Sequence, residues 1–200
     1  MLLTSADNAH IKQLLSDNPL YVFALESEAA NEFADEKPLF VGVGKLNAMY
    51  HLMKRIQQQK PGIIVNLGSA GSLEHNRGAV VCCSGFVQRD MDVTPLGFEK
   101  YHTPFAKHEH ILLNGLKAEG FPLGVCGTGD SFVVNHDNVD YNVIDMEAYA
   151  MAWLALHENI PFLSLKYISD GADGAAAEDW PVTIKHAAAA LKSAVVSIKM

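Results

Sequence analysis

Pro61-Gly62-Ile63-Ile64-Val65-Asn66-Leu67-Gly68-Ser69-Ala70-Gly71 is the stretch on which the reading of the fold turns. Ile63 to Leu67 is a short apolar run bounded by breakers. Pro-Gly stands before it and a Gly-Ser-Ala-Gly turn follows, so it reads as a buried strand rather than a helix. Immediately upstream, Leu46, Met49, Met53 and Ile56 recur at helical spacing, which predicts an amphipathic helix over 45–58. A helix thus runs into a strand, and the strand runs into a glycine-rich turn.

The same alternation extends in both directions. Leu20 to Leu25 and Leu39 to Val43 read as strands before the helix. After it come a strand over 79–87, a helix over 107–119, a strand over 121–126, a helix over 146–158 entered at Asp145, a strand over 161–168 and a closing helix over 183–198. A further helix precedes the first strand. Strands alternating with helices argue for an α/β fold with a largely parallel sheet covered on both faces. In that architecture ligands bind at the carboxyl ends of the strands. No repeat, low-complexity tract or linker interrupts the pattern, so residues 1–200 are read as one domain.

Composition narrows the function classes. The chain has 200 residues, 49% hydrophobic and 19% charged, which is ordinary for a globular protein. A formal charge of −8, with Arg55, Arg77 and Arg89 the only arginines, leaves no basic stripe for a nucleic acid. No apolar run approaches the ~20 residues of a membrane helix, and the polar N-terminus lacks the pattern of a secretory signal. Cys82, Cys83 and Cys126 fall inside predicted strands, where a free thiol behaves as a small buried hydrophobe. The expectation is a reduced, cytoplasmic protein.

Unusual residues stand at the strand ends. Glu26-Ser27-Glu28 follows the first strand, and Gly68 to Ser72 the one that opened the argument. Gly127-Thr128-Gly129-Asp130-Ser131-Phe132 and Ser169-Asp170-Gly171-Ala172-Asp173 follow two others, and Asp145-Met146-Glu147 opens a helix. Singly, each carboxylate has an ordinary structural reading as a cap, a turn or a solvated helix residue. Together, three would converge on one crevice.

Other chemistries fail on spacing. Gly42-Val43-Gly44-Lys45 lacks the upstream glycine and the following Ser/Thr of a phosphate loop, and Asn47 stands where a dinucleotide fingerprint needs glycine. G-x-S-x-G is absent. His108 and His110, two apart on a predicted helix, would not face one ion, so no metal and no cofactor is expected.

Six segments in order resemble the purine nucleoside phosphorylase/nucleosidase superfamily, most of all the methylthioadenosine/S-adenosylhomocysteine nucleosidases. They are Val41 to Lys45, Asn66 to Gly71, Asp92 to Glu99, Gly129 to Phe132, Asp145 to Ala148, and Ile168 to Asp173. The resemblance implies a three-layer α/β/α fold around a central mixed, mostly parallel sheet, and hydrolysis of the N-glycosidic bond of an adenine nucleoside. It makes Asp170 the general acid at purine N7 and Glu28 the group that activates water. Glu147 would hold the ribose hydroxyls with Met146 against the sugar, Phe132 would stack on the purine and the Val133 backbone would read its edge. Ser69, Val43 and Ser169 would line the same pocket.

The resemblance also implies a homodimer, with Leu96 and Phe98 reaching the neighbour's site. Phosphate-using relatives carry an arginine just before the glycine loop, where this chain has Ile64 to Leu67, so water is the better-supported nucleophile. A phosphorylase using Ser69, backbone amides and a partner's Arg89 remains an alternative, as does a binding protein without catalysis. Only 13 residues separate Glu28 from Gly42, where the family places an extra strand pair, and the segment from Phe132 to Glu147 is compressed. The sheet is therefore expected to be trimmed and the 5′ substituent is left open.

Overall fold

In the computed structural model, residues 8–133, 140–172 and 176–200 are described, those at 176–179, 181 and 182 by their backbone alone. The strands are β1 (Pro19–Phe23), β2 (Leu39–Phe40), β3 (Ile63–Gly71), β4 (Val80–Gln88), β5 (Ile111–Leu112), β6 (Leu123–Thr128), β7 (Val143–Asp145) and β8 (Phe162–Asp170). The α-helices are α1 (Asn8–Ser16), α2 (Glu26–Ala29), α3 (Lys45–Gln58), α4 (Ala148–His157) and α5 (Ala176–Lys199).

The strands form one mixed sheet. β1 pairs in parallel with β2 and β3, β3 with β8, β4 with β6, and β6 with β7. β8 runs antiparallel to β4, and β5 antiparallel to β4 at the edge. A single antiparallel pairing, Gly71 to Ile144, joins β3 to β7. The circuit β3–β8–β4–β6–β7 therefore closes on itself, and the polar ends of its strands meet around one opening.

Alternation along the strands divides the core in two. Leu20, Val22 and Ile64 pack with Ala48, Leu52 and Ile56 of α3 and with α4. Tyr21, Phe23, Ile63, Val65 and Leu67 pack with Ile11 and Leu15 of α1 and with Ile184, Leu191 and Val195 of α5. The α/β class and the mixed sheet agree with the sequence reading. Between Glu28 and Gly42 the chain makes only a 3-10 turn at Ala34–Glu36 and the two-residue β2.

The helix expected over 107–119 is not formed. Ile111–Leu112 is instead an edge strand on β4, and Gly115 bridges to Phe162. A Cβ on Gly115 would sit 2.5 Å from the Cys83 carbonyl oxygen and 2.7 Å from Ser84 Cα, so the backbone approaches β4 more closely than a helix could. Leu112, Leu116 and Ala118 are buried by this extended path. Elsewhere β7 and the short α2 were not assigned in the sequence, and the other differences are at boundaries: β3 runs on to Gly71, α4 begins at Ala148, and α5 begins well before residue 183.

One buried ion pair crosses the sheet. Lys166 of β8 is 2% exposed, and its Nζ lies 2.8 Å from Asp145 Oδ2 of β7. Removing one member of such a pair leaves an uncompensated buried charge. Lys166→Met is expected to cost ~3–5 kcal/mol, read as a lowered urea midpoint at unchanged slope, and Asp145→Asn in the same chain is expected to recover part of it. An unchanged midpoint for the single variant would show that Asp145 is solvated.

Candidate active site

A cavity of about 260 Å³ opens at the ends of β3, β7 and β8. Glu28 enters it from α2. It is the third residue of that short helix, and its Oε2 accepts the Leu25 N–H at 3.1 Å, as a glutamate reaching back over a helix start does. Its Oε1 accepts both the backbone N–H and the hydroxyl of Ser69, each at 2.8 Å. The buried carboxylate fits because position 68 has no side chain: a Cβ there would come within 3.1 Å of Oε1.

The second carboxylate arrives by a bulge. Ala70 pairs with Ile168 and Gly71 with Asp170, so Ser169 is an extra residue in β8. Such an insertion re-aims the side chains beside it. Both Ser169 and Asp170 line the cavity although they are neighbours in a strand. The Ser169 hydroxyl donates to Asp170 Oδ2 at 2.8 Å, with the Ala70 carbonyl at 3.3 Å as its other acceptor, and Asp170 Oδ1 accepts the Ala172 N–H at 2.9 Å. A Cβ at Gly71 would lie 2.7 Å from Oδ1, so a second glycine is needed for a second carboxylate.

Asp145 ends β7, and Glu147 lies in the turn between β7 and α4. Asp145 Oδ2 accepts the Ala148 N–H, and Oδ1 accepts the Thr128 hydroxyl at 2.6 Å. Thr128 Oγ1 in turn accepts the Tyr149 N–H. Two of the free N–H groups at the start of α4 are thereby satisfied. Burial works against ionisation of Asp145, but Lys166, Thr128 and the Ala148 amide outweigh it and hold the carboxyl below its usual range. Burial likewise opposes the charge of Lys166, and Asp145 overcomes it, raising that ammonium well above its usual value.

Glu147 has no such partner. Its Oε1 accepts the Gly44 N–H at 2.9 Å. Burial first, and then the neighbouring Asp145 charge, push its carboxyl up to about 8, against the opposing pull of Lys166 and Gly44.

Phe132 and Val133 form the outer wall, with Val43 and Met146 also lining the cavity. The loop before Phe132 is pinned by Arg89, which donates to the carbonyls of Gly129 and Ser131 and to the Ser131 hydroxyl. Asp90 accepts the Asp130 N–H and pairs with Lys45. Arg89 is thus occupied within its own chain and does not line the cavity.

Glu28, Val43, Ser69, Phe132, Val133, Met146, Glu147, Ser169 and Asp170, the residues singled out in the sequence, all line this one space. Leu96 and Phe98 do not: Leu96 is 75% exposed, and Phe98 packs edge-on against Phe105. Asp173, within the last motif, lies outside the described residues.

Two residues at the site were not read from the sequence. Lys166 carries a signal, since a lone lysine inside the apolar run Phe162 to Ile168 is anomalous for a buried strand. Trp180 carries none, standing in a stretch not assigned to any element. His108 and His110, expected on a helix, both lie in irregular backbone. Without a helix at 107–119, ligand atoms of His102, Glu109 and His110 lie within 4.8 Å of one another. Helical spacing therefore gives no ground for excluding an ion there, although none of the three lines the cavity.

The crevice at the strand ends is lined by four acids and, among the described residues, by no basic side chain. The chain belongs to the phosphorylase superfamily, whose model matches residues 37–198. Its relatives include the 5′-methylthioadenosine/S-adenosylhomocysteine nucleosidase of Bacillus licheniformis, 30% identical over an alignment of 150 residues that covers 64% of this chain and 65% of the relative. The chain therefore matches just under two thirds of that relative's length.

Two solved structures from Helicobacter pylori share the fold. One is a 5′-methylthioadenosine/S-adenosyl homocysteine nucleosidase complexed with a substituted pyrrolidin-3-ol, with TM-score 0.80, 16% identity, 91% of this chain and 97% of the other. The other is a futalosine hydrolase, with TM-score 0.80, 16% identity, 92% of this chain and 98% of the other.

The raised Glu147 carboxyl gives a pH test. Between its ordinary value of 4.5 and about 8 the folded chain holds a proton that the unfolded chain has lost. Stability therefore falls as pH rises through that window. The unfolding free energy of the parent minus that of Glu147→Gln is expected to decline from pH 5 to pH 8. A flat difference would place the Glu147 pKa in its ordinary range.

Proposed function

We propose that this protein hydrolyses the N-glycosidic bond of a 5′-substituted adenine nucleoside, such as 5′-methylthioadenosine or S-adenosylhomocysteine, and releases adenine. Asp170 protonates the purine, Glu28 takes a proton from the attacking water, and Glu147 holds the ribose hydroxyls with Met146 beside the sugar. Phe132 stacks on the base, and the Val133 backbone meets its edge. The reaction develops positive charge on the sugar, which a cavity walled by carboxylates stabilises.

The observation that carries the choice of water over phosphate is the use of the Ser69 donors. Its N–H and O–H both go to Glu28, so the glycine turn that would cradle an anion already holds one. Arg89, the cation that a phosphorylase reading would recruit, is engaged with Gly129 and Ser131. The similarity to a nucleosidase relative supports the same reaction. Two H. pylori folds of equal similarity with different names leave the 5′ group to experiment.

The same reading takes the chain as one domain of three layers, with α3 and α4 on one side of the sheet and α1 and α5 on the other. It takes the protein as cytoplasmic, in keeping with three buried free thiols. It also makes it a homodimer. Exposed Leu46 and Tyr50 lie one turn apart on α3 and continue from half-exposed Val43 at the cavity, while Leu96 and Phe105 stand exposed on the 94–105 loop. A second copy would cover them, so the solution mass is expected near twice one chain's 21.8 kDa; a mass of one chain overturns the dimer.

Adenine release from 5′-methylthioadenosine, S-adenosylhomocysteine and adenosine, each with and without phosphate, tests the reaction. Release independent of phosphate is expected, with Asp170→Asn and Glu28→Gln each lowering the rate by roughly 10²–10⁴ at unchanged thermal stability. Release that requires phosphate would make the chain a phosphorylase, and full activity in Asp170→Asn would move the acid elsewhere.

A further inference from the structure

Each of the two candidate catalytic carboxylates receives a serine hydroxyl, and each serine is held in turn by the same helix. Trp180 of α5 donates its indole N–H to Ser69 Oγ at 2.9 Å, and Ser69 Oγ donates to Glu28. One turn further on, Thr183 Oγ1 donates to the Ser169 carbonyl at 2.8 Å, with the Trp180 carbonyl at 3.4 Å as a weaker alternative. Ser169 Oγ donates to Asp170. The contacts therefore run from α5 to β3 and its carboxylate, and from α5 to β8 and its carboxylate.

We propose that Trp180 and Thr183 are positioning residues that clamp the start of α5 onto β3 and β8 and hold Glu28 and Asp170 in reacting geometry. The proposal rests on the nucleosidase reading of this cavity. A serine hydroxyl is a free rotor with one proton, able to donate or accept. An indole N–H can only donate and an ionised carboxylate can only accept. With Trp180 on one side and Glu28 on the other, the Ser69 proton has one direction, toward Glu28.

Three donors then converge on that carboxylate: Ser69 N–H, Ser69 O–H and Leu25 N–H. Oε2 carries only the Leu25 bond and keeps a lone pair for water. The indole also fills an acceptor site on Ser69 that a water in the cavity would otherwise take. Trp180 lines the cavity itself, so the donor sits where water arrives.

At β8 the Thr183 bond fixes the backbone of Ser169, the extra residue of the bulge. A bulge residue lacks ladder partners, so its orientation depends on bonds of this kind. The hydroxyl that reaches Asp170 belongs to that same residue.

The test uses Trp180→Phe, which keeps an aromatic ring without the N–H, and Thr183→Val, which keeps the shape without the hydroxyl. Each is expected to lower kcat about tenfold with KM changed less than threefold, since one hydrogen bond per carboxylate is lost. Thr183→Ser restores the rate. In a Ser69→Ala chain, Trp180→Phe has no further effect on kcat, because the chain of bonds is already cut, whereas a merely structural tryptophan gives the same factor in both backgrounds.

Equal, multiplicative losses in the parent and Ser69→Ala chains would overturn the clamp while leaving the reaction intact. A parent chain that releases no adenine would overturn the nucleosidase reading and the clamp together. If Trp180→Phe unfolds, the Thr183→Val and Thr183→Ser pair decides: loss of kcat with rescue supports the clamp, and parental kcat in Thr183→Val overturns it.

Discussion

The buried pair between Lys166 and Asp145 is the interaction on which the cavity depends. Four carboxylates, those of Glu28, Asp145, Glu147 and Asp170, are buried around one opening. Lys166 is the one buried cation among the described residues. Taking that many acids out of water is unfavourable unless each finds donors. Asp145 takes the lysine, and with Thr128 it uses the rest of its capacity to cap α4. Glu28 and Asp170 draw instead on backbone amides and serine hydroxyls. Glu147, left with one amide from Gly44, has its carboxyl pushed up to about 8. The partners thus set Asp145 and Glu147 apart in acidity.

Space imposes a second constraint. A carboxylate can be tucked against a strand only where the strand has no Cβ to meet it. Gly68 and Gly71 supply those gaps on β3, and the extra residue at Ser169 turns Asp170 toward the second of them. The Asn-Leu-Gly-Ser-Ala-Gly segment is therefore more than a tight turn. Its glycines admit the acids, its serine holds one of them, and its strand pairs with β1, β7 and β8.

Where sequence reading succeeded and failed follows from what each signal measures. Periodicity and breakers report local burial, so α3 at 45–58 and the strand starting at Ile63 emerged with little error. The acids and glycines of the cavity were legible because such residues at strand ends are unusual in both composition and position, whereas Val43, Phe132, Val133 and Met146 were reached only through the family resemblance. The 107–119 segment was misread because Ile111, Leu112 and Leu116 have helix-like spacing, while the extended path is dictated by the close approach of Gly115 to β4, a tertiary fact. Asp145 was read as a possible cap and does bond the Ala148 amide, but from within a strand. Trp180 was invisible for a similar reason. Its hydrogen-bond partner, Ser69, is 111 residues away in sequence.

The imbalance of charge is itself an argument about chemistry. A neutral Glu147 limits the mutual repulsion of the acids, and burial favours that state. In the proposed reaction, a sugar that becomes cationic would change the balance, since an ionised Glu147 beside it would then be compensated. An acid poorly suited to its resting surroundings gains most when positive charge develops in front of it. Stabilisation that appears only as the charge develops accelerates the bond-breaking step rather than tightening substrate binding. Lys166, by committing its charge to Asp145 instead of Glu147, preserves that difference.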